Sequence, residues 1–147
     1  MKVLLSLLIV ILSTSILSGQ ETKIITGRII SEDIEPIPKA IIHNMDTIAL
    51  GSTGVDGYFK IEVPAETKEL LLGFIGMEWI SVKIREDCQN LEIIMMVDVI
   101  YDFISIKRIN KKRYKRFKGL AKRHLQAYER GIFKSRTPCI SYVFEKY

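Results

Sequence analysis

Gly54-Val55-Asp56-Gly57-Tyr58-Phe59-Lys60-Ile61-Glu62-Val63 reads as a turn running into a strand. Asp56-Gly57 supplies the positive φ that a tight hairpin turn needs. Phe59, Ile61 and Val63 then alternate with Tyr58, Lys60 and Glu62, the period of two that marks a half-buried strand. Trp79 to Ile84 repeats the pattern, with Ile80, Val82 and Ile84 inward and Ser81 and Lys83 outward. Leu91, Ile93, Met95 and Val97 alternate less cleanly, because Ile94 and Met96 stand between them. Lys23 to Ile30 and Lys39 to Met45 are β-branched runs of strand length. Leu70 to Ile75 is continuously apolar and suits a central strand covered on both faces. Glu32 to Pro36, Pro64 to Lys68 and Gly76-Met77 separate these runs with turn chemistry. Short strands at close spacing with turns between them predict an antiparallel sandwich or barrel.

The composition agrees with one compact domain. The chain has 147 residues, 48% of them apolar and 27% charged, which is room for one ordinary domain and incompatible with wholesale disorder. Two histidines and two cysteines, far apart, exclude zinc-finger and multi-cysteine metal designs. No GxGxxG, GxxxxGK[ST] or GxSxG occurs, so neither a nucleotide-binding turn nor a nucleophile elbow is supported.

Four pieces between Ile25 and Ile84 resemble the carboxypeptidase regulatory-like domain, a small transthyretin-like β-sandwich of exported Bacteroidetes-type proteins. Gly27-Arg28-Ile29-Ile30-Ser31 fits its opening Gly-x-Val-x-Asp strand. Pro36-Ile37-Pro38-Lys39-Ala40-Ile41-Ile42 fits the Pro-Leu-Pro-Gly-Ala-x-Val step, with Lys39 where glycine is usual. Thr53-Gly54-Val55-Asp56-Gly57-Tyr58-Phe59-Lys60-Ile61 fits Thr-x-x-x-Gly-x-Phe-x-Ile, with Gly54 where aspartate is usual. Leu72-Gly73-Phe74-Ile75-Gly76-Met77 fits the closing Leu-x-Phe-x-Ile-Gly-Tyr, with Met77 in place of tyrosine. The resemblance implies a seven-stranded Greek-key sandwich acting as an accessory or interaction module. It also extends to N-terminal extensions of outer-membrane transporters. In metallocarboxypeptidases carrying such a domain, the zinc ligands lie in a separate catalytic domain, which these residues do not contain.

Charge divides the chain. From Gln20 to Ile106 there are seven basic and fifteen acidic residues, whereas from Lys107 to Arg136 thirteen basic residues face only Glu129. The net +5 is thus a property of the tail, and the first segment is an acidic domain. Arg108 to Arg130 contains no proline, and Tyr114, Phe117, Leu120, Ala121, His124, Leu125 and Tyr128 recur at spacings of three and four. This predicts one amphipathic helix over Lys107 to Arg130, stopped by Gly131. Its other positions hold Lys111, Lys112, Lys115, Arg116, Lys118, Lys122 and Arg123, the candidate contacts to an anionic surface. The alternative is a helix packed on the sandwich by its apolar stripe, its basic face offsetting the acidic domain. Nucleic acid is not the expected partner of an exported chain.

Met1 and Lys2 precede an apolar run from Val3 to Leu12, then Ser13, Thr14, Ser15, Ser18 and Gly19. This is the order of a secretory signal peptide, with cleavage expected near Gly19–Gln20; the alternative, an N-terminal membrane anchor, is less expected because Ser13 to Ser15 cut the apolar run short of a span. In an oxidising compartment Cys88 and Cys139 are candidates for a disulfide tying the C-terminal segment to the sandwich. His43, in His43-Asn44-Met45-Asp46, has no zinc spacing, and His124 falls within the apolar stripe. Asp56 belongs to turn chemistry rather than calcium binding. Trp79, beside Gly76 and Glu78 in a turn-to-strand passage, reads either as an exposed recognition residue or, the expected case, as core packing.

These readings give a signal peptide (1–19), a sandwich domain (20–104) and a basic helical extension (105–147). The seven antiparallel strands are expected from about Lys23 to Val97. The expected function is that of a non-enzymatic exported module, in the periplasm or outer envelope, binding a protein partner or an envelope surface, with no catalytic residue, cofactor, metal or small-molecule substrate. The competing classes are a component of an outer-membrane transporter complex and a small periplasmic hydrolase using His43 or His124.

Overall fold

A computed structural model describes residues 21–147. The signal peptide expected over 1–19 lies outside the described residues. Seven strands precede the tail: β1 (Thr22–Ser31), β2 (Ile41–His43), β3 (Ala49–Ser52), β4 (Tyr58–Pro64), β5 (Glu69–Gly73), β6 (Ile80–Ile84) and β7 (Asn90–Met95). Two helices, α1 (Ile106–Lys118) and α2 (Leu120–Glu129), come next, and then an eighth strand, β8 (Ile140–Val143). The protein is mainly β, with a three-stranded sheet β4-β1-β7 and a five-stranded sheet β3-β2-β5-β6-β8.

The two sheets share one core. Phe59, Ile61 and Val63 of β4 alternate inward as the sequence predicts and are buried beside Ile25 and Ile29 of β1. Ile42, Leu70, Leu72, Ile80, Val82 and Ile84 of the five-stranded sheet belong to the same apolar cluster, as do Leu120, Ala127 and Phe133 of the tail.

The expected all-antiparallel arrangement is corrected in one place. β1 pairs with β4 antiparallel but with β7 parallel, in the register Gly27↔Leu91 and Ile29↔Ile93. The single helix expected over Lys107 to Arg130 is divided at Gly119. The extension is also not purely helical, because β8 pairs antiparallel with β6, with Val82 opposite Tyr142.

Two strands exchange their expected environments. The apolar run Leu70 to Ile75 predicts cover on both faces. β5 does lie inside its sheet, but Leu71 is only half-buried and Ile75, beyond the strand, is 93% exposed. The strand covered on both faces is β7, where Leu91 through Met96 are all buried. The tail lies against its second face: backbone N–H groups of Lys134 and Ser135 donate to the Glu92 carboxylate, and Arg28 on the adjacent strand donates to the Ile132 carbonyl at 3.1 Å. The Tyr142 hydroxyl reaches in from β8 and accepts from the Ile94 amide at 2.8 Å. Burial pushes the Tyr142 phenol pKa well up, against the pull of that amide.

The family-like segments have local reasons. Thr53 is buried, donating from its hydroxyl to the Ile37 carbonyl at 2.6 Å and accepting from the Ala40 amide at 2.8 Å. Gly57 has φ +78°, as the Asp-Gly turn requires. Lys39 has φ +59°, a left-handed conformation at the position where the resembled family carries glycine. The sulfurs of Cys88 and Cys139 lie at bonding distance, with Cα atoms 5.9 Å apart and a separation of 51 residues in sequence.

Lys39→Gly is expected to hold or raise the thermal midpoint, since relief of ~1–2 kcal/mol of left-handed strain outweighs or matches the entropy of an added glycine. Lys39→Val should lower it, because a β-branched residue is a worse fit at positive φ. A disulfide closing a loop of this length is worth about 3–4 kcal/mol by chain entropy. Reduction of the protein is therefore expected to lower its unfolding free energy in urea by that amount; an unchanged transition means that the two sulfurs are not bonded in solution.

Candidate functional site

The tail is anchored by a buried acid–base cluster. Glu78 precedes β6, and Arg113 sits on the inward face of α1; their side chains are 3% and 7% exposed. Arg113 donates from Nε and Nη2 to Glu78 Oε2 at 3.1 and 2.9 Å, and from Nη1 to the Glu145 carbonyl at 2.9 Å. One helical turn on, Arg116 donates to Glu78 Oε1 at 3.3 Å, to the Val97 carbonyl at 2.7 Å and to the Glu32 carboxylate. Glu32 also accepts from the Val97 amide at 3.2 Å. Burial by itself would lower the Arg116 pKa, but hydrogen bonds to Glu32 and Tyr101 and the charges of Glu32 and Glu78 outweigh it and leave it raised.

This corrects the place of Arg116. Helical spacing puts it off the packed face, free for an anionic surface, and instead it points into the sandwich. The apolar stripe is corrected as well. Leu120 and His124 are buried and Phe117 and Leu125 half-buried, but Tyr114, Ala121 and Tyr128 are exposed, and Arg113 and Ala127 take inward positions.

The other candidate contacts remain on the surface. Lys111, Lys112, Lys115, Lys118, Lys122 and Arg123 are all exposed, joined by Lys107 and Arg108. The spacing 107, 111, 115 with 108 and 118 puts one solvent-facing stripe of cations along α1. Lys112 lies over the Tyr101 ring at 5.6 Å and Lys118 over Tyr114 at 5.1 Å. Beside the stripe, Lys107, Lys111 and Lys146 join Ile106, Tyr114 and Phe144 in lining an open groove of about 720 Å³. The i, i+4 spacing from Lys107 is visible in the sequence; Lys146 is not, because only the return of the chain through β8 brings it there.

The N-terminal part of the stripe opposes the helix that carries it, whereas Lys115 and Lys118, in the last turn, suit the helix dipole. Like charges at i, i+4 disfavour a helix by ~0.2–0.5 kcal/mol per pair. Lys107 and Arg108 stand in the first turn of α1, where the helix dipole disfavours cations, with no acid in that turn and no side-chain cap bond from Ser105. Packing through Arg113, Phe117 and the eighth strand must hold α1 against its own electrostatics.

The histidines lie apart in the fold. His124, on α2, donates from Nε2 to the Ser135 carbonyl at 2.8 Å, packs on Phe133 at 4.9 Å, and its Nε2 is 4.0 Å from the Glu92 carboxylate. His43, on β2, is stacked on Trp79 with centroids 5.1 Å apart. Among the described residues neither imidazole is hydrogen-bonded to a hydroxyl or thiol, and no group of three or more His, Cys, Asp and Glu side chains is placed to share a metal ion. Among them also, no helix is long and apolar enough to cross a membrane.

Removing one partner of a buried ion pair strands the other and costs about 3–5 kcal/mol. Glu78→Gln and Arg113→Met are each expected to destabilise the protein by that order in urea titrations. The double variant should recover part of the loss, because the mutual partners are then removed together.

Compared with known proteins, the chain matches no family model, and no curated protein shows significant sequence similarity to it.

Proposed function

We propose that this protein is a non-enzymatic exported accessory module, a transthyretin-like Greek-key sandwich of the carboxypeptidase regulatory-like kind, which docks on an anionic surface of the cell envelope through α1. The observation that carries this reading is the stripe of Lys107, Arg108, Lys111, Lys115 and Lys118, exposed along a helix whose first turn is disfavoured by the cations it carries. A helix needed only to cap a sandwich gains from its basic face no more than partial neutralisation of the acidic domain and loses helix stability at Lys107 and Arg108, whereas a surface-binding helix gains about 1 kcal/mol per cation near an anionic membrane. The groove beside the stripe supports the same reading, since its apolar lining and three lysines suit an amphipathic anion better than a neutral solute. The inward pair Arg113 and Arg116 fixes the orientation in which the stripe is presented.

The test is binding of the mature protein to vesicles containing phosphatidylglycerol. Binding should fall steeply with salt, because charges at a surface are screened within ~8 Å at physiological ionic strength. Replacing Lys107, Lys111 and Lys115 by glutamate should weaken binding by about a hundredfold or more, at about 1 kcal/mol per charge, without lowering the thermal midpoint, since it places an acid in the first turn and relieves like-charge pairs along α1. Absence of binding at low salt overturns the reading for lipid. Retention of the protein by an acidic envelope protein, lost in the same triple variant, would place the anion on a protein partner instead.

A further inference from the structure

Trp79, the chain's single tryptophan, reads as a core residue from its sequence setting, yet it is 57% exposed. It stands just before β6 and lies flat on the outer side of the five-stranded sheet. One face of the indole is stacked on His43, with planes 26° apart, and the ring passes over Gly73. A Cβ at residue 73 would come within 2.8–3.0 Å of three atoms of the six-membered ring, so any side chain there would lift the indole off the sheet. His43 beneath it is buried, and its Nδ1 has no hydrogen-bond partner among the described residues. The outcome is an aromatic plate seated on His43 and Gly73, with more than half of Trp79 in contact with solvent.

A second plate stands nearby. Tyr147 lies over the Arg113 guanidinium at 3.7 Å and is 64% exposed; its backbone is held by Asn110, whose Oδ1 accepts from the Tyr147 amide at 3.0 Å. Trp79 and Tyr147 line one pocket of about 210 Å³ together with the exposed Asp98, Glu145 and Lys146. The floor includes the buried Glu78–Arg113 pair, already satisfied by its own network. Among the described residues the side chains of Asp98, Glu145 and Lys146 make no hydrogen bond or ion pair, so acceptors and a donor remain available around the indole.

We propose that this pocket binds a pyranose ring of a neutral glycan. The π-face of the indole is electronegative and complements the row of C–H groups on one face of a sugar ring. The hydroxyls around the ring edge need both acceptors and donors, which two carboxylates and one ammonium supply. The volume is below the roughly 300–1,000 Å³ of pockets for drug-sized ligands, so it takes one ring at a time. Asp98 and Glu145 disfavour an anion; Arg113 is neutralised by Glu78, so Lys146 alone opposes a cation. A proline-rich peptide also docks on aromatic rings, but it needs an extended groove rather than a pocket of this size.

The site carries its own probe, because every tryptophan photon comes from Trp79. Titration of the intact mature protein with methyl glucoside, methyl galactoside, N-acetylglucosamine and their short oligomers should give a saturable change in Trp79 emission for at least one sugar, with its oligomers binding within a few-fold of the monosaccharide. Asp98→Ala and Glu145→Ala should each weaken that binding at least fivefold by the same readout. Gly73→Ala, which displaces the indole without removing it, should weaken it at least tenfold, and Trp79→Ala should abolish it by calorimetry. If Trp79→Ala does not fold, the carboxylate variants decide. Flat emission across the whole panel, unchanged affinity in Asp98→Ala and Glu145→Ala, a response to tetramethylammonium but to no sugar, or a response only to a proline-rich peptide overturns the proposal. The lysine stripe is not involved, so the Lys107, Lys111, Lys115 triple variant should bind sugar normally.

Discussion

Glu78 is a carboxylate at the entrance to a core strand, almost entirely removed from water. A buried charge of this kind is strongly destabilising unless it is paired and hydrogen-bonded. No basic residue of the sandwich contacts it among the described ion pairs; both partners, Arg113 and Arg116, come from α1. The sandwich is therefore electrostatically incomplete without its tail. The same constraint reaches past the helices: Arg113 also holds the Glu145 carbonyl, so the chain beyond β8 is fastened to the cluster that seats α1. The stripe of exposed lysines and the Tyr147 ring both take their positions from this one buried pair.

The segregation of charge along the sequence serves two ends that the fold separates. Two of the arginines neutralise Glu78 and Glu32 inside. The lysines stay outside, where a flexible, well-hydrated ammonium is easily kept in water. The division follows side-chain chemistry: a planar guanidinium can satisfy two carboxylate groups and a carbonyl at once, as Arg116 does, and a lysine cannot do so in the same geometry.

Much of the sandwich is legible in the sequence because alternation reports one-sided burial. Phe59, Ile61 and Val63 show it; Ile80, Val82 and Ile84 are buried as expected, but Ser81 between them, read as outward, is buried too, in a strand flanked by β5 and β8. The blurred alternation of Leu91 to Val97 is itself information: Ile94 and Met96 break the pattern because both faces of β7 and its end are covered. Leu70 to Ile75 errs the opposite way, since an apolar run does not say whether its second face meets protein or water. Of the candidate surface, the lysines are legible from composition and helical spacing. Arg116 is not, because periodicity treats every charge as outward, and only Glu78 and Glu32, distant in sequence, turn it in. Trp79 escapes for a related reason: a large aromatic beside a strand is ordinarily core, and its exposure depends on Gly73 letting it lie on the outer surface. β3 and β8 are short strands without sustained alternation, and their pairing is set by neighbours rather than by their own pattern.

The pairing of β8 with β6 bears on the order in which the fold can assemble. β1 reaches its parallel partner only across a separation of 64 residues, from Thr26 to Asn90, and β6 reaches β8 across a similar span, from Ile84 to Ile140. Contacts of such high sequence separation form late, after the entropy of closing long loops has been met. As the chain folds, the outer edge of β6 stays bare until β8 pairs with it. An unpaired strand edge is the feature most prone to wrong pairing with another chain. Four residues of β8 thus decide how long the folding protein remains open to aggregation.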